Sequence, residues 1–370
     1  MKSTWRTLFS ALLAVLLLPQ CAEERRTKTS RKRAEPAAIG GTPGVDDTAR
    51  FLAGMDGPDR SPLASARRTS SWSKHQSSMN ELFQSFENRR GQAMKSWRGN
   101  AIPAPPTTLF YPFGGPDVLY PLRLFPSAST YVLVGLEGAD PLPELSFLQP
   151  SDLPRSLDNL RTSMGTVVQH SYFITKDMRR DLASTPLQGA LPPILTFLAR
   201  SGFSVRSIEV IQLHRGGTVT ARSGTGGNAP GLRIKTGGKT IYYFRHDLSN
   251  GGYGSDRRLL TFLQQRGSWA TYLKSASYLL HRDSFSKLRS DLLAHSRLIV
   301  SDPSGIPYRS YSPDQWDLAL YGEYRGTLDL FRSYTQDDLS AAYQRGDQVR
   351  GPLPFGVGYT QTSLIVARRR

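Results

Sequence analysis

Residues 107–138 set short apolar runs between turn residues in an order that organises the rest of the chain. Residues 107–113 are β-branched and aromatic, and residues 131–136 form an apolar run of strand length. Between them Gly114 and Gly115 permit a tight bend. Pro116 suits the first position of a helix with Val118, Leu119, Leu122 and Phe125 on its apolar face. Strand, turn, helix, strand predicts a parallel βαβ unit from which a mixed, partly parallel central sheet should grow. The expected fold class is therefore α/β, a Rossmann-like βαβ core flanked by helices with an antiparallel hairpin insertion.

The same pattern places the other elements. Trp72, Met79, Leu82, Phe83, Phe86, Met94 and Trp97 recur at helical spacing, so an amphipathic helix is expected over 71–98, with Gly91 as its weak point. Helices are expected at 153–182 and 190–200, the second closed by Ser201-Gly202. Short strands at 207–213, 218–222, 232–235 and 240–245 are joined by the hairpin turns Arg215-Gly216-Gly217 and Thr236-Gly237-Gly238. Residues 256–266, 268–282 and 284–296 read as three consecutive helices. A buried strand at 298–300 leads into the turn Asp302-Pro303-Ser304-Gly305. An apolar segment at 316–324, a helix at 336–345 and a strand at 363–367 complete the chain, with no repeat at solenoid periods.

The first fifty residues follow other rules. Lys2 and Arg6 precede an apolar run over 8–18 that is too short to span a bilayer, which reads as a signal peptide ending near residue 21. Leu18-Pro19-Gln20-Cys21 resembles a bacterial lipoprotein signal, although Gln20 stands where a small residue is usual. Cys21 is then either the lipidated N-terminus or a residue beside an ordinary cleavage point. If it is lipidated, Ala22 after it favours, by that resemblance, the outer membrane. Residues 22–50 are polar and basic, and are expected to be a disordered tether ahead of a single α/β domain over 51–370. With one cysteine in the chain, no disulfide can form within the domain.

The net charge of +17 is unevenly spread. Residues 1–35 hold eight basic and three acidic side chains and three arginines end the chain, which leaves +9 for the rest. No basic stripe interleaved with aromatics appears, so no specific nucleic acid is expected as a partner. The tether's cations instead suit anionic lipid headgroups, making a membrane, reached through Cys21, the expected partner.

Several stretches together resemble a family of uncharacterised exported bacterial proteins: FYPFGGPDVLYPLRLFP with TYVLVGLEG, ITKDMRRDL, IYYFRHDLSN, YLKSASYLLH, SDPSGIPYR and PLPFGVGY. The resemblance runs from about Phe51 to the C-terminus. It implies a single exported unit and brings no activity, cofactor or catalytic residue with it.

Two places have residues suited to a ligand. The bend at Gly114, Gly115 and Asp117, with Glu137 twenty-two positions after Gly115, has the spacing of a phosphate-facing turn and a ribose-binding carboxylate. It lacks GxGxxG, Pro116 removes a donor, and Asp117 sets a negative charge where an anion would sit. The alternative is a tight βα turn capped by Asp117. His246 and Asp247 end an apolar strand before a Gly-rich loop, a usual ligand position in α/β folds, but neighbours on a strand face opposite ways and a turn is the simpler account. Asp302 closes another strand. On the expected helix over 268–282, Lys274, Tyr278 and His281 would share a face.

Other matches fail on context. Ser71-Trp72-Ser73-Lys74, Ser78-Met79-Asn80 and Lys235-Thr236-Gly237 imitate serine β-lactamase motifs, but the first two share one helix. Gly237-Gly238-Lys239-Thr240 imitates a P-loop between two strands rather than before a helix. The six histidines form no local metal-binding pair.

Two functions fit. One is an exported envelope protein acting as a non-catalytic module for a ligand or protein partner. The other is an enzyme with a Rossmann-like site, resembling S-adenosylmethionine-dependent methyltransferases in strand order. Export is the shared expectation, and lipidation has a direct test. Cys21→Ser should release the protein from the membrane fraction; equal membrane retention of both forms, with an unmodified wild-type N-terminus by mass spectrometry, would exclude the anchor.

Overall fold

The computed structural model describes residues 43–102, 104–139, 145, 152–170, 187–222, 230–359 and 362–370. The expected signal peptide, Cys21, the tether over 22–42, most of the 141–154 connection and residues 171–182 of the helix expected at 153–182 lie outside the described residues.

The first described element corrects the expected tether boundary. Val45–Leu52 (α1) is a helix with Ala49, Phe51 and Leu52 buried. Its polar residues are tied down as well: Asp46 Oδ1 accepts from Val205 N at 2.8 Å, and Asp47 pairs with Arg67 at 2.7 Å. The stretch reads as polar because its few apolar residues fall on a single helical face.

After one helical turn at Ala64–Arg67 comes the expected amphipathic helix, in three parts. Ser70–Phe86 (α2) passes through a π-helical turn, Glu87–Gly91, into Gln92–Ala101 (α3). Gly91 closes the π-helical turn and does not end the helix. Thr108–Tyr111 (β1), Leu119–Leu124 (α4) and Thr130–Gly135 (β2) form the expected βαβ unit, with Thr108 to Tyr111 in parallel register with Thr130 to Leu133. The helix starts after Pro116, at Leu119.

Leu153–His170 (α5) and Leu191–Arg200 (α6) follow, then Val205–Leu213 (β3), Val219–Ala221 (β4), Gly231–Thr236 (β5) and Thr240–Arg245 (β6). The two expected hairpin turns join β3 to β4 and β5 to β6. Arg258–Gln264 (α7) comes next.

The middle of the three consecutive helices expected over 256–296 is instead a strand. Trp269–Leu273 (β7) lies parallel between β1 and Ser296–Ser301 (β8), the latter preceded by the helix Ser286–His295 (α8). All five residues of β7 are buried, so it shows none of the alternation that marks a half-exposed strand. Lys274, Tyr278 and His281 therefore share no helical face. The chain ends with Trp316–Gly322 (β9), Asp337–Arg345 (α9), Val349–Gly351 (β10) and Ser363–Arg369 (β11).

The eleven strands form one sheet in the order β10-β9-β11-β8-β7-β1-β2-β6-β5-β3-β4. Its centre, β8-β7-β1-β2-β6, is parallel throughout, whereas β11 runs antiparallel to both β8 and β9. The fold is a mixed α/β sheet flanked by helices on both faces. Successive residues feed opposite cores: Leu109, Tyr111, Tyr131, Leu133, Ile241 and Tyr243 pack with α1 to α6, and Phe110, Val132, Val134 and Phe244 with α7 to α9.

His75 locks α1 onto α2. Its Nε2 lies 2.9 Å from the Leu52 carbonyl, and burial, opposed by that bond, lowers its pKa to about 4. The unfolded chain takes up this proton near the ordinary value of 6.5, whereas the folded chain resists it until about 4. Stability is therefore complete above pH 6.5 and declines as pH falls toward 4, by about 2–3 kcal/mol from this group. His281, also held at about 4, adds to the decline in the same window. His75→Gln keeps a donor for Leu52 and should flatten the fall of melting temperature between pH 6.5 and 4; an unchanged slope would refute the assignment.

Candidate functional site

In a doubly wound sheet the crevice for a ligand opens where the strand order reverses, at the carboxyl ends of the strands. Here β1 leads to β2 on one side while β7 lies on the other, so the reversal falls between β1 and β7. Three expected carboxylates gather at the ends of these strands and their neighbours.

Asp117 follows the bend after β1. Its Oδ1 accepts the Tyr120 amide at 3.3 Å, capping α4, and its Oδ2 accepts from Tyr111 Oη at 3.3 Å and from Lys274 Nζ. Lys274 is the first residue beyond β7. Its side chain is 1% exposed, and its ammonium is in an ion pair with Asp117 and stands 3.6 Å from the centre of the Tyr120 ring. Burial lowers its pKa, while Asp117 and Asp302 oppose the fall.

Asp302 directly follows β8 and is fully buried. It accepts from Ser275 N at 2.8 Å, Ser304 N at 2.9 Å and Ser304 Oγ at 2.6 Å. Burial raises its pKa, and those bonds and Lys274 pull it back. Its own amide donates to the Leu273 carbonyl at 3.0 Å, joining the ends of β7 and β8.

Glu137 belongs to the same region but to a separate contact. Tyr243 Oη lies 3.0 Å from both its carbonyl oxygen and its Oε2, and the residue is 2% exposed. The carboxylate folds back against Gly115 and Gly135; a side chain at Gly135 would collide with it and with the Tyr243 hydroxyl. Gly115 has φ +53° and donates to the Val134 carbonyl at 3.0 Å, so the glycine bend serves both strands. Gly114 lies against the Tyr111 ring, where a Cβ would not fit.

His246 and Asp247 do not join this group. The His246 amide donates to the Gly135 carbonyl at 3.1 Å, while its Nε2 is buried without a partner among the described residues, and burial lowers its pKa. Asp247 is exposed and accepts from Ser249 N at 2.8 Å and Ser249 Oγ at 2.9 Å, an Asx turn.

The loop after β7 is strained. Ser275, Ser277 and Tyr278 have φ of 53°, 53° and 56°, and Tyr359, whose hydroxyl lies 2.6 Å from Ser277 Oγ, has 41°. Such conformations cost of order 1–3 kcal/mol each, and the surrounding contacts must hold them. Tyr278 is stacked on Tyr334 at 5.3 Å and packed against Phe331 at 5.0 Å. Among the described residues, Ser275 Oγ and the fully buried Tyr272 Oη have no hydrogen-bond partner.

Chemically, the arrangement fixes groups rather than freeing them. Lys274 offers no lone pair while it is paired with Asp117, and Asp302 already accepts three hydrogen bonds. No group of three or more metal-ligating side chains occurs among the described residues. Tyr243, Gly135 and Tyr272 went unrecognised in the sequence, and Lys274 stands at a strand end beside Asp117 rather than on the expected helix face. For Lys274 the available signal was its place after Trp-Ala-Thr-Tyr-Leu, a run as suited to a buried strand as to a helix. No protein-family model matches the chain, and no curated protein matches it in sequence.

The buried pair has a measurable signature. Removing one partner leaves an uncompensated charge, so Lys274→Met should cost about 3–5 kcal/mol in urea denaturation. The double variant Asp117→Asn/Lys274→Met keeps the α4 cap and should recover most of that loss. Additive costs would show that the two side chains are not coupled.

Proposed function

We propose that this chain is an exported protein of the bacterial cell envelope and that its α/β body is a non-catalytic binding module. The observation that carries this is the state of the switch point. Asp117, Glu137 and Asp302 stand where a cofactor-binding sheet would present its polar groups, and each is buried and bonded to its own chain. A carboxylate held by Tyr243 against Gly115 must break that bond before it can grip a ribose. Lys274 would need to leave Asp117 and give up a proton before it could act as a base. Both steps strand a buried polar group, which is costly without a replacement partner. The export signal and basic tether supply the envelope location, as read from the sequence.

The strand order favours a second reading. The sequence β6-β2-β1-β7-β8 follows the doubly wound order 3-2-1-4-5, consistent with an enzyme site resembling that of S-adenosylmethionine-dependent methyltransferases at Gly114, Gly115 and Glu137. A thermal-shift titration separates the two. For the binding module, S-adenosylmethionine, NAD and ATP should leave the melting temperature unchanged. A saturable stabilisation by any of them, abolished by Glu137→Gln, would overturn the non-catalytic reading in favour of the enzyme.

A further inference from the structure

Away from the switch point, a cleft of about 610 Å³ opens between α2, the π-helical turn and α5. That volume lies within the range of small-molecule sites, roughly 300–1,000 Å³. Its wall combines three guanidinium groups, Arg89, Arg90 and Arg161, with one carboxylate, Glu81. Apolar surface comes from the half-buried Leu82, with the buried Phe86 and Val168 behind it.

The three arginines differ in what they already hold. Arg90 donates to the Val168 and Gln169 carbonyls at 2.6 and 2.8 Å, closing the end of α5. Arg161 is bound to Asp158 and reaches His75 Nδ1 at 3.3 Å. Arg89 is exposed and has no hydrogen bond or ion pair among the described residues. Two fixed cations, one of them already paired with Asp158, and one free cation therefore share the cleft with a single carboxylate. The π-helical turn that holds Arg89 and Arg90 forms part of the wall, and such turns recur at functional sites. Gly165, on α5, leaves the cleft open: a Cβ built there meets nothing within 4 Å.

We infer that this cleft binds a small amphipathic anion, its acid group at Arg89 and Arg90 and its apolar part against Leu82. A guanidinium suits carboxylate and phosphate alike, through paired hydrogen bonds. This goes beyond the binding-module reading and does not depend on it, because it uses no residue of the switch point.

Isothermal titration of the full chain with octanoate and octyl phosphate, below their micelle concentrations, tests it. At least one should bind saturably, and the stronger of the two identifies the acid group. Octylammonium and inorganic phosphate should each bind at least about ten-fold more weakly, a difference of one decade in Kd. Gly165→Leu projects a side chain into the cleft from an otherwise open position and should abolish binding while the melting temperature is kept. Arg89→Gln, at an exposed position, should weaken binding about ten-fold, in line with the loss of a charge-assisted bond, and reduce its salt dependence. Absence of binding by both octyl anions, equal binding of octylammonium, or wild-type affinity in Arg89→Gln would each overturn the inference.

Discussion

The contact between Lys274 and Asp117 is the constraint on which the centre of this molecule depends. It joins the residue after β7 to the bend after β1, two strands far apart in sequence whose pairing places the sheet's reversal point. Such a pair adds little net stability, since removing two charges from water costs about as much as their attraction returns. What it supplies is intolerance of alternatives. A shift of β7 by one residue would turn Lys274 to the other face of the sheet and leave Asp117 buried alone. Asp302 acts in the same way one strand over, holding the Ser275 and Ser304 amides and so fixing how the chain leaves β7 and β8.

Much of the fold was legible because its signals are local. The βαβ unit announced itself through strand-length apolar runs around Gly114 and Gly115, and both hairpins through glycine turns. The rule that fails at β7 is equally physical. A strand covered on both faces has no polar side, so Trp-Ala-Thr-Tyr-Leu carries no period to distinguish it from a buried helix. At α1 the failure runs the other way: a short helix with one buried face looks polar in composition.

The site was only half legible for the same reason. Gly115 and Glu137 do meet, because a βαβ unit brings the ends of its two strands together and their spacing along the chain encodes that. Asp117 was recognised as a cap, which it is, but its other carboxylate oxygen pairs with a lysine 157 positions away, beyond any local pattern. His246 and Asp247 looked like a pair on paper. Consecutive residues at a strand end diverge, and each has its own surroundings.

The placement of β11 has a consequence for how the molecule can be assembled. The last strand is not an edge but an internal one, and along the sheet it alone connects β9 and β10 to β8. A chain emerging from N- to C-terminus therefore carries two open, hydrogen-bond-hungry borders until β11 arrives. Exposed strand borders are templates for pairing with other chains. Until Ser363–Arg369 slots in, the chain is better kept unfolded or guarded by a chaperone than left half built, and its closing residues act as the keystone of an arch standing until then on scaffolding.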